Sequence, residues 1–186
     1  LHTVLTSELE YLEYLETSQC ALDDEIAKVA RKHPWRASVE ALCCFKGIKT
    51  LTAMTIVSEI GDIKRFRSPR QLMGYTGLVP GERSSGDRQH RGPITRAGNR
   101  YLRRVLVESA WQYSKRTSST LILQRRRMGQ DPGVVAIAVK AQHRLQRRHY
   151  YLSQTKPMNK ATVAVARELC GFLWSALWEL EHTKQH

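Results

Sequence analysis

Hydrophobic residues at the start of the chain follow the spacing of a helix that packs along a seam. Two heptad positions are mostly apolar: one holds Leu1, Leu15, Leu22 and Val29, the other holds Leu5, Leu12 and Ile26, and Glu8 and Gln19 interrupt them. Such a repeat is typical of paired helices. We therefore predict a coiled-coil-like helix over residues 1–32, packed against its own continuation or a second subunit. A plain amphipathic helix in a bundle explains the pattern equally well.

The charge of this segment separates it from the rest of the chain. Residues 1–30 carry seven acidic side chains against Lys28 alone, a net charge of −6 in a chain whose total is +13, so residues 31–186 carry +19. An acidic helix is a poor ligand for nucleic acid, because phosphates repel it. We assign the helix to assembly, and expect a homo-oligomer formed through it, or to bracing of the following domain.

Two short apolar helices are predicted on either side of a glycine turn, over residues 38–61. Pro34 ends the acidic helix that precedes them, because proline disfavours helical backbone at the preceding residue. The order helix, Gly47-Ile48 turn, helix is that of a helix-hairpin-helix, which can hold a phosphate through backbone N–H groups. Lys49 stands where a second glycine is usual. Lys46 and Lys49 are candidate phosphate contacts, and a purely structural helical hairpin is the alternative.

A glycine-rich segment, residues 77–98, holds two adjacent serines among arginines. It is too rich in Gly, Pro and Arg to pack as a core, so we expect an exposed and mobile loop. A hydroxyl surrounded by cations suits attack on a phosphodiester, since positive charge stabilises the pentavalent phosphorus. A flexible basic turn is the alternative, because Ser-Ser-Gly is common in turns. The candidates are Ser84 and Ser85 as nucleophiles and Arg83, Arg88, Arg91 and Arg96 as nucleic-acid contacts.

Helices with basic faces are predicted over residues 99–152. Thr95 or Asn99 caps the first of them, which runs to about Ser114 and directs its positive end at the serine segment. Its three arginines fall at i, i+3 and i+4 and are predicted to share one exposed face: Arg100, Arg103 and Arg104. A later helix begins at Asp131-Pro132 and presents three more outward: Arg144, Arg147 and Arg148.

Tyr150 and Tyr151 close this basic stretch, and two interpretations of them stay open: they stack on bases, or they shield a helix end. A last helix is predicted over residues 159–180, with an apolar surface wide enough for burial in the domain or against a partner domain. The chain contains no alternating run typical of a strand. The predicted fold is therefore mostly α, with one domain over residues 36–182 after the acidic helix.

The composition fits a soluble domain with a polyanionic partner. Of 186 residues, 41% are hydrophobic, and the net charge is +13 with a pI near 10.0. Residues 62–148 hold 20 Lys or Arg against 5 Asp or Glu, and nucleic acid is the commonest partner of such a surface. No apolar run approaches the roughly 20 residues of a membrane span, so we expect no membrane association and a cytoplasmic location. The four cysteines form no C-x-x-C pair, which predicts free thiols and no metal site.

Many separated residues, taken in order, resemble one protein family. They are Gly61-Asp62, Arg65-Phe66, Gly77-Leu78-Val79-Pro80, Ser84-Ser85-Gly86, Gly92, Ile94-Thr95-Arg96-Ala97-Gly98-Asn99, Leu102-Arg103-Arg104 and Glu108-Ser109-Ala110-Trp111. The set resembles the C-terminal domain of the IS110/IS116/IS902 family of insertion-sequence transposases. The resemblance runs from about Leu42 to a late segment over residues 159–169.

The resemblance implies a DNA transposase or recombinase in which this portion supplies a serine nucleophile, Ser84, with Ser85 as the alternative. It also implies DNA and a guide RNA as partners. A separate N-terminal RuvC-like domain would hold metal-binding carboxylates and Mg²⁺, whereas no cofactor is expected in this chain. Because the chain starts at Leu1 and lacks a spaced acidic set beyond its first helix, we interpret it as a fragment that binds nucleic acid and is inert alone. A non-catalytic helix-hairpin-helix binding module and an oligomerisation element are the other function classes.

Overall fold

The regular elements of the chain follow the predicted helices closely. A computed structural model describes residues 2–85, 88–115 and 120–183, and of residues 82–85 and 88–91 it describes the backbone only. Within those ranges the prediction of a mostly α fold is confirmed. The elements are α1 (His2–Ala30), α2 (Trp35–Cys43), α3 (Thr50–Ile60), α4 (Pro69–Tyr75), β1 (Pro80–Ser85), β2 (Arg88–Ile94), α5 (Arg100–Trp111), α6 (Leu121–Arg127), α7 (Pro132–Thr155) and α8 (Met158–Thr183).

Side-chain caps fix where three of these helices begin. The Asn99 side chain accepts from the Leu102 N–H at 2.9 Å, and the Asp131 side chain accepts from the Val134 N–H at 3.0 Å. Thr120 caps α6 in the same way. Each cap satisfies an N–H group that the first turn of a helix leaves without a partner. Of the two predicted caps for α5, Asn99 is therefore the one used.

The core is organised around α8, which packs against α2, α4, α5 and α7. Small and branched residues along α8 are fully buried, and Trp174 Nε1 donates to Phe66 O at 2.9 Å, which ties α8 to the short turn after α3. Burial of this apolar surface is the main stabilising contribution to the fold. The buried residues of α8 are Ala161, Thr162, Val165, Ala166, Leu169, Cys170, Leu173, Ala176 and Leu177.

The long first helix contacts the body only near its C-terminal end. Ala30 is buried and Ile26 is half-buried, whereas the described apolar heptad residues before them, from Leu5 to Leu22, face solvent. Leu5, Leu12 and Leu22 are 58%, 53% and 64% exposed. The predicted long helix is present, and most of its apolar seam has no partner in the described part of the chain.

A pair of strands corrects the prediction that the serine segment is a loop without strand structure. β1 and β2 are antiparallel, with Pro80 opposite Ile94 and a bulge between Pro80 and Glu82. Backbone hydrogen bonds form such a ladder whatever the side chains are. Residues 80–94 therefore need not show the alternation of polar and apolar residues that marks a half-buried strand, and they do not. Gly86-Asp87 lies outside the described residues, but the dipeptide is typical of two-residue hairpin turns. It was the sequence signal from which the hairpin could have been predicted.

All four cysteines are free, with Cys20 exposed and Cys43, Cys44 and Cys170 buried, which agrees with the predicted free thiols. None of the helices in the described ranges combines the length and apolar character that a membrane crossing needs.

His149 is buried between α7 and α8, with 3% of its surface exposed. Its Nε2 lies 3.2 Å from Thr162 Oγ1. The Thr162 hydroxyl donates to Met158 O at 2.9 Å, so the imidazole Nε2–H is the donor to Thr162. Burial lowers the pKa of His149, because the charged imidazolium would lose its hydration.

The free energy of unfolding should therefore fall as the pH drops below about 6.5, where the unfolded chain takes up a proton that folded His149 resists. His149→Gln should flatten this part of the pH dependence. His143→Gln, at an exposed position of the same helix, is the matched control and should leave it unchanged. Urea unfolding between about pH 7 and pH 5 measures the effect, and parallel curves for the wild type and His149→Gln would contradict it.

Candidate nucleic-acid interface

The two candidate nucleophiles lie at the end of β1, next to the connection to β2. Ser84 is opposite Gln89 and Ser85 is opposite Arg88 in the strand register. Arg83 is opposite His90 and Arg91 is opposite Glu82, so three of the four candidate arginines of this segment, Arg83, Arg88 and Arg91, belong to the same strand pair. The backbone therefore brings Ser84, Ser85, Arg83, Arg88 and Arg91 into one small two-stranded unit, which we call the serine strands (residues 80–85 and 88–94).

Hydrogen bonds just below the sheet fix the serine strands to the body. Three backbone N–H groups donate across this root (residues 75–79 and 95–99): Thr95 to Val79 O at 2.9 Å, Arg96 to Gly77 O at 3.1 Å and Asn99 to Tyr75 O at 2.9 Å. Gly98 has φ +120°, and a Cβ atom there would collide with Tyr75 O. Only glycine fits this close approach, since other residues avoid such backbone. The end of α4 is thereby held against the start of α5.

Asn99 connects the root to α3 as well as capping α5. Its Nδ2 donates to Glu59 Oε2 and, more weakly, to Tyr75 Oη at 3.4 Å. The pKa of Tyr75 is lowered, mainly because Asn99 donates to its oxygen and also because Arg65 is close. The Arg65 guanidinium lies 4.7 Å from the ring centroid of Tyr75. Sequence reasoning identified Asn99 only as a cap, because Glu59 and Tyr75 are 40 and 24 residues away along the chain.

The three arginines at the start of α5 do not share one exposed face, which corrects the prediction for Arg103. Arg103 is half-buried, and its Nη1 donates to Thr76 O at 2.9 Å, so it braces the root. Arg100 and Arg104 are exposed as predicted. Arg100 stacks on Tyr101 at 4.9 Å and Arg104 pairs with Glu108 at 2.8 Å. An exposed pair of this kind is weak, so Arg104 can exchange Glu108 for a phosphate at little cost.

Arg96 lies within the root, just before α5, with an exposed side chain and φ +55°. Positive φ is uncommon for a residue other than glycine. Its N–H bond to Gly77 O holds this backbone, so the side chain stays beside the start of α5. The exposed candidates Arg96, Arg100 and Arg104 are therefore grouped at one end of α5, where the helix dipole adds to their positive charge.

α2 and α3 bracket the turn for which a helix-hairpin-helix is predicted. Gly47 has φ +85°, and a Cβ atom there would lie 2.6 Å from Ser109 O, so the turn packs directly on α5. Lys49 is exposed and extended just before α3, and no side chain caps that helix. The uncapped N–H groups of the first turn of α3, together with the Lys49 side chain, have the donors and the positive charge that an anion site needs. Whether this turn binds phosphate stays a prediction.

Lys46 has a different role from the exposed Lys49. Its Nζ donates to Lys115 O at 2.8 Å, which ties the turn to the segment after α5. Its pKa is lowered, first by burial and then by the charge of Lys115. Lys46 therefore contributes to the packing of the turn, and its contact with phosphate stays a prediction.

Two arginines of α6 hold the same turn from the other side, a role that sequence reasoning missed. Arg126 Nη1 donates to Ile48 O at 2.6 Å and Arg127 Nε donates to Cys44 O at 2.9 Å. Arg127 also donates to Gln142 Oε1 of α7 at 2.9 Å. These carbonyl groups are about 80 residues away in sequence, so the run Arg125-Arg126-Arg127 gives no sign of them.

The arginines of α7 are exposed as predicted and differ in their partners. Arg144 pairs with Glu168 of α8, and Arg148 lies 4.0 Å from the same carboxylate. Arg147 makes no ion pair with any residue in the described ranges. α7 thus offers cations on a second surface, separate in sequence from those at the root of the serine strands.

No described residues suit a metal ion: nowhere in the described ranges do three His, Cys, Asp or Glu side chains come close enough to hold one.

A mostly helical body with exposed cations grouped on it has the charge distribution that is typical of domains that bind nucleic acid. Residues 39–124 match the family described as Transposase IS116/IS110/IS902 family. Together with relatives named as transposases of such elements, this match places the chain in that family.

Three relatives illustrate the match. The Sinorhizobium fredii protein named "Putative transposase y4qE" is 38% identical over 94% of this chain and 48% of its own length. The transposase for insertion sequence element IS1533 of Leptospira borgpetersenii is 32% identical over 69% of this chain and 37% of its own length. The transposase for IS1111A of Coxiella burnetii is 25% identical over 92% and 41%. The chain thus spans about half the length of the curated relatives it matches, or less.

The bond between Asn99 and Glu59 can be tested by exchanging the two groups. Asn99→Asp keeps the cap on α5 but sets two carboxylates together, and should lower the free energy of unfolding by about 1–3 kcal/mol. Glu59→Gln with Asn99→Asp restores an amide donor and a carboxylate acceptor, so most of the loss should be recovered. Urea unfolding at neutral pH measures both, with Glu59→Gln alone as the control.

A wild-type stability for Asn99→Asp, or a double variant no more stable than Asn99→Asp, would contradict this role of the Asn99–Glu59 bond.

Proposed function

We propose that this chain is the part of an insertion-sequence transposase that binds DNA and supplies a serine nucleophile for strand cleavage and exchange. The observation that supports the proposal most is the placement of both serines, with three arginines, on a strand pair anchored to a basic helical body. The family match adds the reaction class. We further propose that the chain acts in the cytoplasm, where DNA is accessible.

The proposed step is attack of a serine hydroxyl on a DNA phosphodiester. A bond forms between Oγ of Ser84, or of Ser85 as the alternative, and phosphorus, while the bond from phosphorus to one sugar oxygen breaks. The serine proton passes to a base and the departing sugar oxygen takes up a proton. Guanidinium groups from Arg83, Arg88 and Arg91 would balance the negative charge of the pentavalent state.

We propose that the base, and the chemistry of a metal, come from outside this chain. The three relatives described above are at least about twice as long as the region that matches this chain. This length leaves room for a RuvC-like domain with metal-binding carboxylates and Mg²⁺. On this account the chain alone is catalytically inert. A guide RNA would select the DNA sites, and the exposed cations of α7 leave a second basic surface for such a partner.

We also propose that α1 pairs with α1 of a second copy. Its exposed heptad residues have no partner in the described part of the chain, and helices with this repeat bury it by pairing. The acidic groups on the rest of α1 stay in solvent and away from nucleic acid. A homo-oligomer would place two sets of serine strands in one assembly.

Serine chemistry is tested in the full-length protein with its nucleic-acid partners. Ser84→Ala should abolish the covalent protein–DNA adduct and lower recombination by at least about 100-fold, as the loss of a nucleophile does. DNA affinity should stay unchanged. Peptide mapping of the adduct by mass spectrometry identifies the linked residue, and Ser58→Ala, at an exposed serine of α3, is the control.

If Ser85→Ala has the larger effect, Ser85 is the nucleophile. Full activity in both Ser84→Ala and Ser85→Ala would contradict the proposal and favour a non-catalytic binding module.

Assembly through α1 is tested by substituting charged residues for leucines of its exposed seam. Leu12→Asp with Leu22→Asp should convert an oligomer to a monomer, because carboxylates in a helix seam are costly to bury. Tyr14→Asp, at an exposed position off the seam, should leave the mass unchanged. Sedimentation equilibrium of the chain gives the mass, and a wild-type chain that is already monomeric at high concentration would contradict the assignment.

A further inference from the structure

Tyr150 and Tyr151 are exposed on α7 one turn before the helix ends. α7 continues to Thr155, so these rings do not shield its end, which removes one of the two interpretations left open by the sequence. Their exposed fractions are 44% and 63%, and the ring centroids lie 5.7 Å apart in an edge-to-face arrangement. The two rings support each other on a rigid helix, since the opposite face of α7 lies in the core through Ala141, Leu145 and His149.

The stretch of chain that holds this tyrosine pair is rich in cations and free of acids. Residues 132–167 contain seven Lys or Arg and no Asp or Glu: Lys140, Arg144, Arg147, Arg148, Lys156, Lys160 and Arg167. Arg147 precedes Tyr150 by three residues and Tyr151 by four, so it shares their face of the helix. The acids that flank this stretch in sequence are Asp131, which caps α7, and Glu168, which is already paired with Arg144 and lies near Arg148. Arg147 therefore lies on the same helix face as the two rings, and it makes no ion pair with any residue in the described ranges.

The chemistry of this surface selects its ligand. An exposed aromatic ring beside a guanidinium binds an unpaired base by stacking while the cation binds the adjacent phosphate. A base inside a duplex keeps its faces covered by its neighbours, so a duplex can use the cations but not the rings. Tyr11 and Tyr14 of α1 are similarly exposed but lie in an acidic segment. The carboxylates of that segment would repel the same ligand.

We infer that the Tyr150–Tyr151 pair with Arg147 forms a binding surface for unpaired nucleotides of a nucleic acid. This goes beyond the proposed serine chemistry and rests only on the part of the proposed function that assigns nucleic-acid binding. The shared chemistry is a base next to a phosphate, which single-stranded RNA and single-stranded DNA both provide.

The test compares three fluorescent probes on the purified chain: oligouridylate, oligothymidylate of equal length and a blunt DNA duplex. Tyr151→Ala should weaken both single-stranded probes at least about fivefold and leave duplex affinity within about twofold of wild type. Tyr151→Phe should bind like the wild type, because stacking needs the ring and not the hydroxyl. Tyr14→Ala is the matched control for loss of an exposed tyrosine, and an unchanged melting temperature for each variant excludes unfolding.

Salt titration separates the ring from the cation. Arg147→Gln should reduce the slope of log affinity against log salt by about 0.7 for single strands, whereas Tyr151→Ala should lower affinity without changing the slope. Tighter binding of oligouridylate supports the binding surface and identifies RNA as its ligand. Equal binding of both single strands supports the surface and shows that either nucleic acid can occupy it.

Wild-type single-strand affinity in Tyr151→Ala, or an equal loss on the duplex, would overturn the inference. Binding of the duplex alone by the wild-type chain would overturn it and leave the proposed function intact. Binding of none of the three probes would overturn both.

Discussion

The backbone hydrogen bonds at the root of the serine strands are the constraint on which the function of this domain depends. They join the end of α4 to the start of α5, and the close contact at Gly98 leaves no room for a side chain between them. A two-stranded sheet is marginal by itself in water. The direction in which β1 and β2 leave the body is therefore set by the helices below, through Asn99, Arg103 and the segment that they brace.

Those helices are in turn fixed by burial around α8, and basic side chains reinforce the arrangement from the periphery. Arg103, Arg126 and Arg127 donate to backbone carbonyl groups, as does Lys46. A positively charged chain thus uses some of its cations as internal hydrogen-bond donors. The cations that stay exposed include groups near α5, at the start of α3 and along α7, and these are available to a polyanion.

Local signals made the helices predictable, whereas the long-range contacts left no trace in the sequence. Asn99 and Asp131 act through the turn that follows them, so their capping could be identified from a few residues. The bonds from Arg103 to Thr76 and from Lys46 to Lys115 span 27 and 69 residues. Helical spacing placed Arg103 on an exposed face, and the predicted helix-hairpin-helix turn made Lys46 a candidate phosphate contact. β1 and β2 lacked alternating apolar residues, and only the Gly86-Asp87 dipeptide between them indicated a hairpin. For the same reason the pairing of Glu59 with Asn99 needed the structure.

Native-state hydrogen exchange at the amides of Thr95, Arg96 and Asn99 tests most directly whether the root is a fixed part of the body. Each of these N–H groups donates across the root, so we predict slow exchange, with protection close to that of the amides inside α5. Exchange at the rate of an unstructured peptide, while α5 remains protected, would contradict the account, because the serine strands would then have no defined position on the domain.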